Sequence, residues 1–296
     1  MIQIMKQEVE KQTGHFESFD GTSIYYEMRG QGKPIVFVYG IGCLMNHWHP
    51  QVTAFSQNYQ TICLDFRGHQ KSESPKDLDN LNIDSLARDT HALLNHLKIS
   101  SASFWGHSFG GQVVLRAFDL FPEQFKNLVF VNAFVKDPIG GMFGVDFVPK
   151  IFQFVKDTHQ NYPDLVTNVW RASVLNPLAA HLSALAGGFN LRLTSIKDIE
   201  VYARGIASLD LKVFMKLFED MMAYDASSVL EKIRIPTLII SGEKDGVTPV
   251  AHQIELHSRI AGSELQNVPY GSHCTQLDLP EFVNLRAEKF YMTHKY

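Results

Sequence analysis

The sequence predicts an α/β fold: one doubly wound sheet with helices on both faces and a helical insertion. Three observations predict it. Residues 34–39, 61–66, 125–131 and 236–242 are nearly continuous apolar runs, the pattern of strands covered on both faces. Stretches with helical spacing of apolar residues alternate with these runs. Residues 137–224 then break the alternation with helix-like stretches rich in Phe, Leu and Met, punctuated by Pro149, Pro163 and Pro177.

Taken in order, Phe16–Phe19 and Ile24–Met28 flank Asp20-Gly21, a turn dipeptide, so the chain should open with an antiparallel hairpin. The strands at 34–39 and 61–66 follow, with a helix expected over 45–55 between them. A second helix is expected over 83–97, where Leu86, Leu93, Leu94 and Leu97 oppose Asp84, Arg88 and Asp89. Residues 101–105 read as a strand, 110–118 as an apolar-faced helix stopped near Phe121-Pro122, and 125–131 as the next strand. After the insertion come the strand at 236–242, a helix over 250–260, a short strand at 265–268 and a terminal helix over 282–290. The simplest division makes residues 1–136 and 225–296 one core domain and residues 137–224 a cap.

Composition narrows the partners. At 296 residues, 45% of them hydrophobic, the chain can build a substantial core. A net charge of −4 provides no basic field for nucleic acid or a lipid surface. The first 14 residues carry neither a signal-peptide core nor a membrane helix, so a cytoplasmic location is expected by default. Cys43, Cys63 and Cys274 have no C-x-x-C spacing, which argues against a disulfide framework and a structural zinc site. Nucleic acid and a membrane are thereby disfavoured, a small-molecule substrate is left as the expected partner, and the oligomeric state stays open.

The chemistry concentrates in Gly106-His107-Ser108-Phe109-Gly110, a G-x-S-x-G pentapeptide lying between a predicted strand and a predicted helix. Glycines two residues to either side remove the Cβ atoms that would close a strained turn, and the serine becomes a candidate nucleophile. A serine hydroxyl needs a base to take its proton and an acid to orient that base. Asp245, in the loop after the strand at 236–242, is the candidate acid, with Glu243 and Asp137 as rivals. His273, between the last strand and the terminal helix, is the candidate base. His252 and His257 sit on an expected surface helix, and His107 is expected to point into the core. An oxyanion needs fixed donors: the N–H of Phe109 at the helix start is one, and Ile41, with Gly42 as fallback, is the other. Gly40 and Gly42 should border the substrate.

These segments together resemble the α/β-hydrolase superfamily over nearly the whole chain. The resemblance rests on Val36-Phe37-Val38-Tyr39-Gly40, on Asp65 to Ser72, on the pentapeptide, on Gly242-Glu243-Lys244-Asp245 and on Gly271-Ser272-His273, in the family's order of nucleophile, acid and histidine. It implies an eight-stranded, mostly parallel sheet, a variable cap and a site needing no cofactor. Two departures stand out: Tyr39 replaces the family's usual histidine before Gly40, and Ser272 separates Gly271 from His273. Arg67, Gly68 and His69 match a family signature that braces a loop.

A serine at the nucleophile position argues against the haloalkane dehalogenase and epoxide hydrolase branches, which need a carboxylate there. Acyl transfer to water is the favoured reaction, on small or medium apolar esters or lactones. The insertion supplies Met142, Phe143, Phe147, Phe152, Phe154, Trp170 and Phe189 for an apolar pocket, with Phe143 and Trp170 the leading lining candidates. Arg171, Arg192 or Arg204, if turned inward, would bind a substrate carboxylate. Cofactor-free haloperoxidase or perhydrolase chemistry, carbon–carbon bond hydrolysis and a hydrolase-like small-molecule sensor are the alternatives.

Overall fold

The computed structural model describes residues 9–139, 148–185 and 187–296. An eight-stranded sheet carries the fold, in the order β1-β2-β4-β3-β5-β6-β7-β8. Its strands are β1 (Lys11–Glu17), β2 (Ser23–Arg29), β3 (Pro34–Val38), β4 (Gln60–Leu64), β5 (Ala102–His107), β6 (Phe125–Val131), β7 (Thr237–Gly242) and β8 (Glu264–Val268). β1 and β2 pair antiparallel, β2 joins β4 antiparallel, and every pairing from β4 to β8 is parallel. Residues 102–107 and 237–242 are buried at every position, as expected of strands covered on both faces.

Helices α1 (His49–Phe55), α2 (Ile83–His96), α3 (Phe109–Leu120), α10 (Ala251–Arg259) and α12 (Pro280–Thr293) belong to this sheet. Between β6 and β7 come α4 (Val148–Asn161), α5 (Pro163–Leu175), α6 (Pro177–Leu185), α7 (Ile196–Ser208), α8 (Leu211–Ala223) and the single turn α9 (Ser227–Leu230), and a second short turn, α11 (Thr275–Asp278), precedes α12. Pro163 and Pro177 stand first in α5 and α6, where the missing N–H costs nothing.

Two local expectations needed correction. The opening hairpin does not turn on Asp20-Gly21 alone: the last pair is Glu17 with Ser23, and a five-residue loop is closed by Ser18 N–H donating to the Thr22 carbonyl at 2.9 Å. The loop is held there because Asp20 and Ser18 reach the buried Arg67 guanidinium, which also clasps Asp89 at 2.6 Å. Arg67 therefore braces the loop, with its side chain fully buried. The helix expected over 45–55 is divided into a 3-10 turn, Met45–Trp48, and α1, because Pro50 has no N–H to continue one helix through.

Candidate active site

Ser108 sits at φ +53° and ψ −126°, between β5 and α3. Positive φ in a non-glycine residue costs about 1–3 kcal/mol and persists only where the surroundings enforce it. Here they do: a Cβ on Gly106 would stand 2.8 Å from Gly111 Cα, and one on Gly110 would stand 2.4 Å from the Val38 carbonyl oxygen. The two glycines let α3 press against β3 and the crossing chain, which forces the serine outward.

Three loops at the carboxyl edge of the sheet then converge. His273 Nδ1 lies 2.9 Å from Asp245 Oδ2, and His273 Nε2 lies 3.0 Å from Ser108 Oγ. A carboxylate only accepts, so the ring proton is on Nδ1, and bare Nε2 is left to accept the Ser108 hydroxyl. Asp245 is 6% exposed and fully partnered: Oδ1 takes the N–H groups of Val247 and Thr248, both at 2.8 Å, and Thr248 Oγ1 is 2.7 Å from Oδ2. The rival acids are elsewhere. Glu243 is exposed and accepts from Tyr270 N–H and Lys244, which hold its carboxyl below the usual range, while Asp137 accepts from Ile139 N–H.

The loop after β3 lies directly over the serine, since a Cβ on Gly40 would be 3.1 Å from Ser108 Cβ. Cys43 N–H closes a tight turn on the Gly40 carbonyl at 3.1 Å, and Gly42 supplies its positive φ of +67°. Such a turn leaves the N–H groups of its two central residues, Ile41 and Gly42, without a partner inside the turn. Phe109 is the first residue of α3, and its N–H likewise has no intrahelical acceptor. Tyr39, in the place of the usual histidine, points away: its hydroxyl is buried and accepts Phe66 N–H at 2.8 Å. Ser272 occupies its extra position without a loose polar atom. Its N–H donates to Asp278 at 2.6 Å, and its carbonyl accepts from Asn132 at 2.7 Å and Thr275 at 2.6 Å.

Ser108 and His273 open onto a cavity of about 450 Å³. Gly40 and Ile41 line its floor, and the inserted helices line its walls with Phe152, Trp170, Tyr202, Phe214, Phe218 and their neighbours. Trp170 packs on Phe214 with ring centres 5.1 Å apart. Gly42 is not among the lining residues: Phe214 and Ile206 lie within 3.4 Å of where its Cβ would be, and cover it. Phe189 lines the cavity as expected, but Phe154 is 71% exposed on the outer face of α4. Met142, Phe143 and Phe147 fall outside the described residues. None of the three arginines lines the cavity: Arg171 donates to the Ala207 carbonyl, Arg204 pairs with Glu200 in solvent, and Arg192 borders a separate groove.

Several lining groups were not expected at the cavity: His107, read as a core residue, is buried as expected but also borders the cavity, and His47 carried no signal in the sequence. His47, His107 and His273 form a row of mutually tilted rings, with centres 5.7 Å and 4.9 Å apart along the row. Burial holds both imidazoles well below the usual histidine range, His47 at about 3, with His273 nearby pushing the same way. Cys43 and Cys274 also face the cavity as buried thiols, pushed up by desolvation. Among the described residues no cluster of His, Cys, Asp and Glu could hold a metal ion, and no helix is long and apolar enough to cross a membrane.

The sequence model of the alpha/beta hydrolase fold family matches residues 33–280. The chain belongs to the α/β-hydrolase family. Among curated relatives of this hydrolase, 3-oxoadipate enol-lactonase 2 of Acinetobacter baylyi is 28% identical over 254 residues, covering 86% of each chain. A dihydrolipoyllysine-residue acetyltransferase component of an acetoin cleaving system, from Pseudomonas putida, is 27% identical over 281 residues, which are 91% of this chain and 66% of that protein. Among solved structures, an esterase from Exiguobacterium antarcticum superposes with a TM-score of 0.74 at 22% identity, covering 93% of this hydrolase and 98% of the esterase.

Proposed function

We propose that this α/β hydrolase cleaves carboxylic esters or lactones of small to medium, mainly apolar substrates through an acyl-enzyme on Ser108. The observation that carries the reading is the relay Ser108 Oγ, His273, Asp245, at 3.0 Å and 2.9 Å, opening into an apolar cavity. In this reading residues 137–224 act as a cap on a core made of residues 1–136 and 225–296, and the protein works in the cytoplasm on a small-molecule partner.

His273 Nε2 takes the Ser108 proton as Oγ attacks the carbonyl carbon. Asp245, held by its four donors, keeps the Nδ1–H tautomer and stabilises the imidazolium. The N–H groups of Phe109 and Ile41 receive the oxyanion; loss of one such donor costs about 10² to 10³ in rate. The imidazolium then gives its proton to the departing alkoxide. Water repeats the sequence on the acyl-enzyme, with His273 again the base.

The wall narrows the substrate. No described lining residue is Asp, Glu, Lys or Arg, and the flanking histidines are held neutral. A substrate carboxylate would enter this cavity without a counter-charge, at a cost of several kcal/mol. The enol-lactonase relative therefore informs the chemistry of this chain more than its choice of substrate.

Hydrolysis of p-nitrophenyl esters from acetate to long acyl chains tests the reading. Wild-type protein should turn over with an optimum at intermediate length, and Ser108→Ala should retain its fold and lose at least about 10³ in kcat. Folded wild-type protein without activity on any ester or lactone would overturn it, and diketones and peroxide would be tried next.

A further inference from the structure

The main-chain carbonyl of His273 is held by two side chains that take no part in the proton relay. Asn132 Nδ2 lies 2.7 Å from it, and His107 Nε2 lies 2.9 Å from it. A carbonyl only accepts, so His107 carries its proton on Nε2, consistent with a ring that burial keeps neutral. Asn132 is fully buried at the end of β6 with φ +48°, a conformation asparagine tolerates better than most residues. It also donates to the Ser272 carbonyl at 2.7 Å and accepts the Gly242 N–H at 2.8 Å, and its own carbonyl lies 2.9 Å from Thr248 Oγ1. One residue thus touches the strand end that launches the Asp245 loop, the threonine beside Asp245 and the loop that carries His273. His107 adds the link to Ser108, its immediate neighbour in the chain.

We propose that Asn132 and His107 are positioning residues that set the His273 imidazole between Asp245 and Ser108 by pinning its backbone carbonyl. The inference rests on the reading of Ser108, His273 and Asp245 as the reacting relay. Its physical content is geometric. His273 lies on a short loop with no regular structure of its own, so its ring position depends on where the main chain is held. Loss of either donor leaves a buried carbonyl under-partnered and frees the loop to shift. A displacement of about 1 Å at a reacting group costs about 10²-fold in rate.

The test compares Asn132→Ala, Asn132→Asp, His107→Leu and His107→Gln in the full chain, each titrated with a fluorophosphonate so that kcat is stated per reactive serine. Asn132→Ala and His107→Leu should lose about 10- to 100-fold in kcat with KM within about twofold. His107→Gln, which keeps an N–H donor, should recover most of the loss, whereas Asn132→Asp, which replaces the donor by an acceptor, should not. In a His273→Ala background neither change should lower the residual rate further. A merely structural role would lower the titrated fraction and the melting temperature but leave kcat per titrated site and the effect of His273→Ala unchanged. Wild-type kcat per site in His107→Leu would overturn the proposal even where the Asn132 variants fail to fold. Equal labelling of wild type and Ser108→Ala would overturn the underlying relay itself, an outcome distinct from the first.

Discussion

The floor of the cavity comes from loops at the carboxyl ends of β3, β5, β7 and β8, whereas its walls come from α4, α5, α7 and α8. On the floor, the ring nitrogens of His273 and the N–H of Ser272 are partnered at 2.6–3.0 Å, and the glycines allow backbone to touch backbone. On the walls, contact is between side chains: α5 has no buried residue and α4 has one, His159, while α7 and α8 bury apolar side chains such as Ile199, Leu211 and Leu217. The first arrangement fixes atoms to within a fraction of an ångström, which a relay of hydrogen bonds needs. The second can repack around different apolar groups, since volume-conserving changes among such side chains cost little. Under the proposed function, reaction geometry and substrate choice are therefore carried by separate parts of one chain.

The comparison breaks most sharply at glycine. Gly110→Ala places a methyl 2.4 Å and 2.5 Å from the carbonyl oxygens of Val38 and Tyr39, neither of which can retreat without moving β3. A loss above about 4 kcal/mol, or no folded protein at all, is expected in urea unfolding. Gly205→Ala on α7 meets Leu44 Cδ1 at 2.5 Å instead, a side chain that can rotate away. Its cost should be about 1–3 kcal/mol. Equal losses for the two would show that floor and wall do not differ in rigidity.

Trp170 sharpens the comparison on the wall side. Trp170→Ala removes a cavity-lining indole that packs on Phe214, while leaving the relay untouched. The optimum in the p-nitrophenyl ester series should move toward longer or bulkier acyl groups, with kcat/KM for the best wild-type ester falling about 10-fold. Phosphonylation of Ser108 by a small organophosphate should stay within about threefold of wild type. A matching fall in phosphonylation would mean that the wall also holds the floor in place.

How far each region can be read from sequence follows the same division. The succession of strands and helices along the chain was legible, and local rules also singled out the three side chains that the structure brings together, Ser108, Asp245 and His273: a glycine-flanked serine between strand and helix, a carboxylate after a buried strand, a histidine before the last helix. The walls were legible only as composition. Phe152 lines the cavity and Phe154, two residues on, is 71% exposed, because helical spacing does not say which face a helix without a fully apolar side will bury. Asn132 was missed for another reason: its contacts to Ser272, His273, Gly242 and Thr248, among others, bridge segments more than 100 residues apart, and its one local sign was an asparagine directly after a buried strand. His47 gave no sign at all, since its burial depends on Tyr202 from α7.

A buried carboxyl outside the cavity lining carries its own pH dependence. Asp65, at the end of β4, has its carboxyl pushed up to about 7 by burial, against partial relief from Lys71 N–H at 3.3 Å. A raised folded-state value means the folded protein holds this proton more tightly than the unfolded chain, where an aspartate titrates near 3.9. The contribution to stability is present below about pH 4 and is lost as pH rises toward 7. Asp65→Asn should therefore raise the melting temperature by about 2–5 °C at pH 8 and leave it nearly unchanged at pH 4. A shift of the same size at both pH values would assign the effect to packing instead of charge.

The smallest effect belongs to the outer surface of the insertion. Leu178, Leu182 and Leu185 recur on α6 at helical spacing and are 61%, 57% and 85% exposed. A side chain already in water loses little when it becomes polar, so Leu185→Gln should change unfolding free energy by less than about 0.5 kcal/mol. A buried counterpart with the same side chain, Leu94 on α2, is fully covered, and Leu94→Ala should cost about 2–5 kcal/mol. Because Leu185 lies outside the cavity lining, Leu185→Gln should also leave the ester chain-length optimum in place. A large loss of stability would require α6 to be covered in solution, and dilution over a hundredfold range of protein concentration would then separate a second copy of the chain, whose loss lowers the melting temperature, from packing within one chain, which does not depend on concentration.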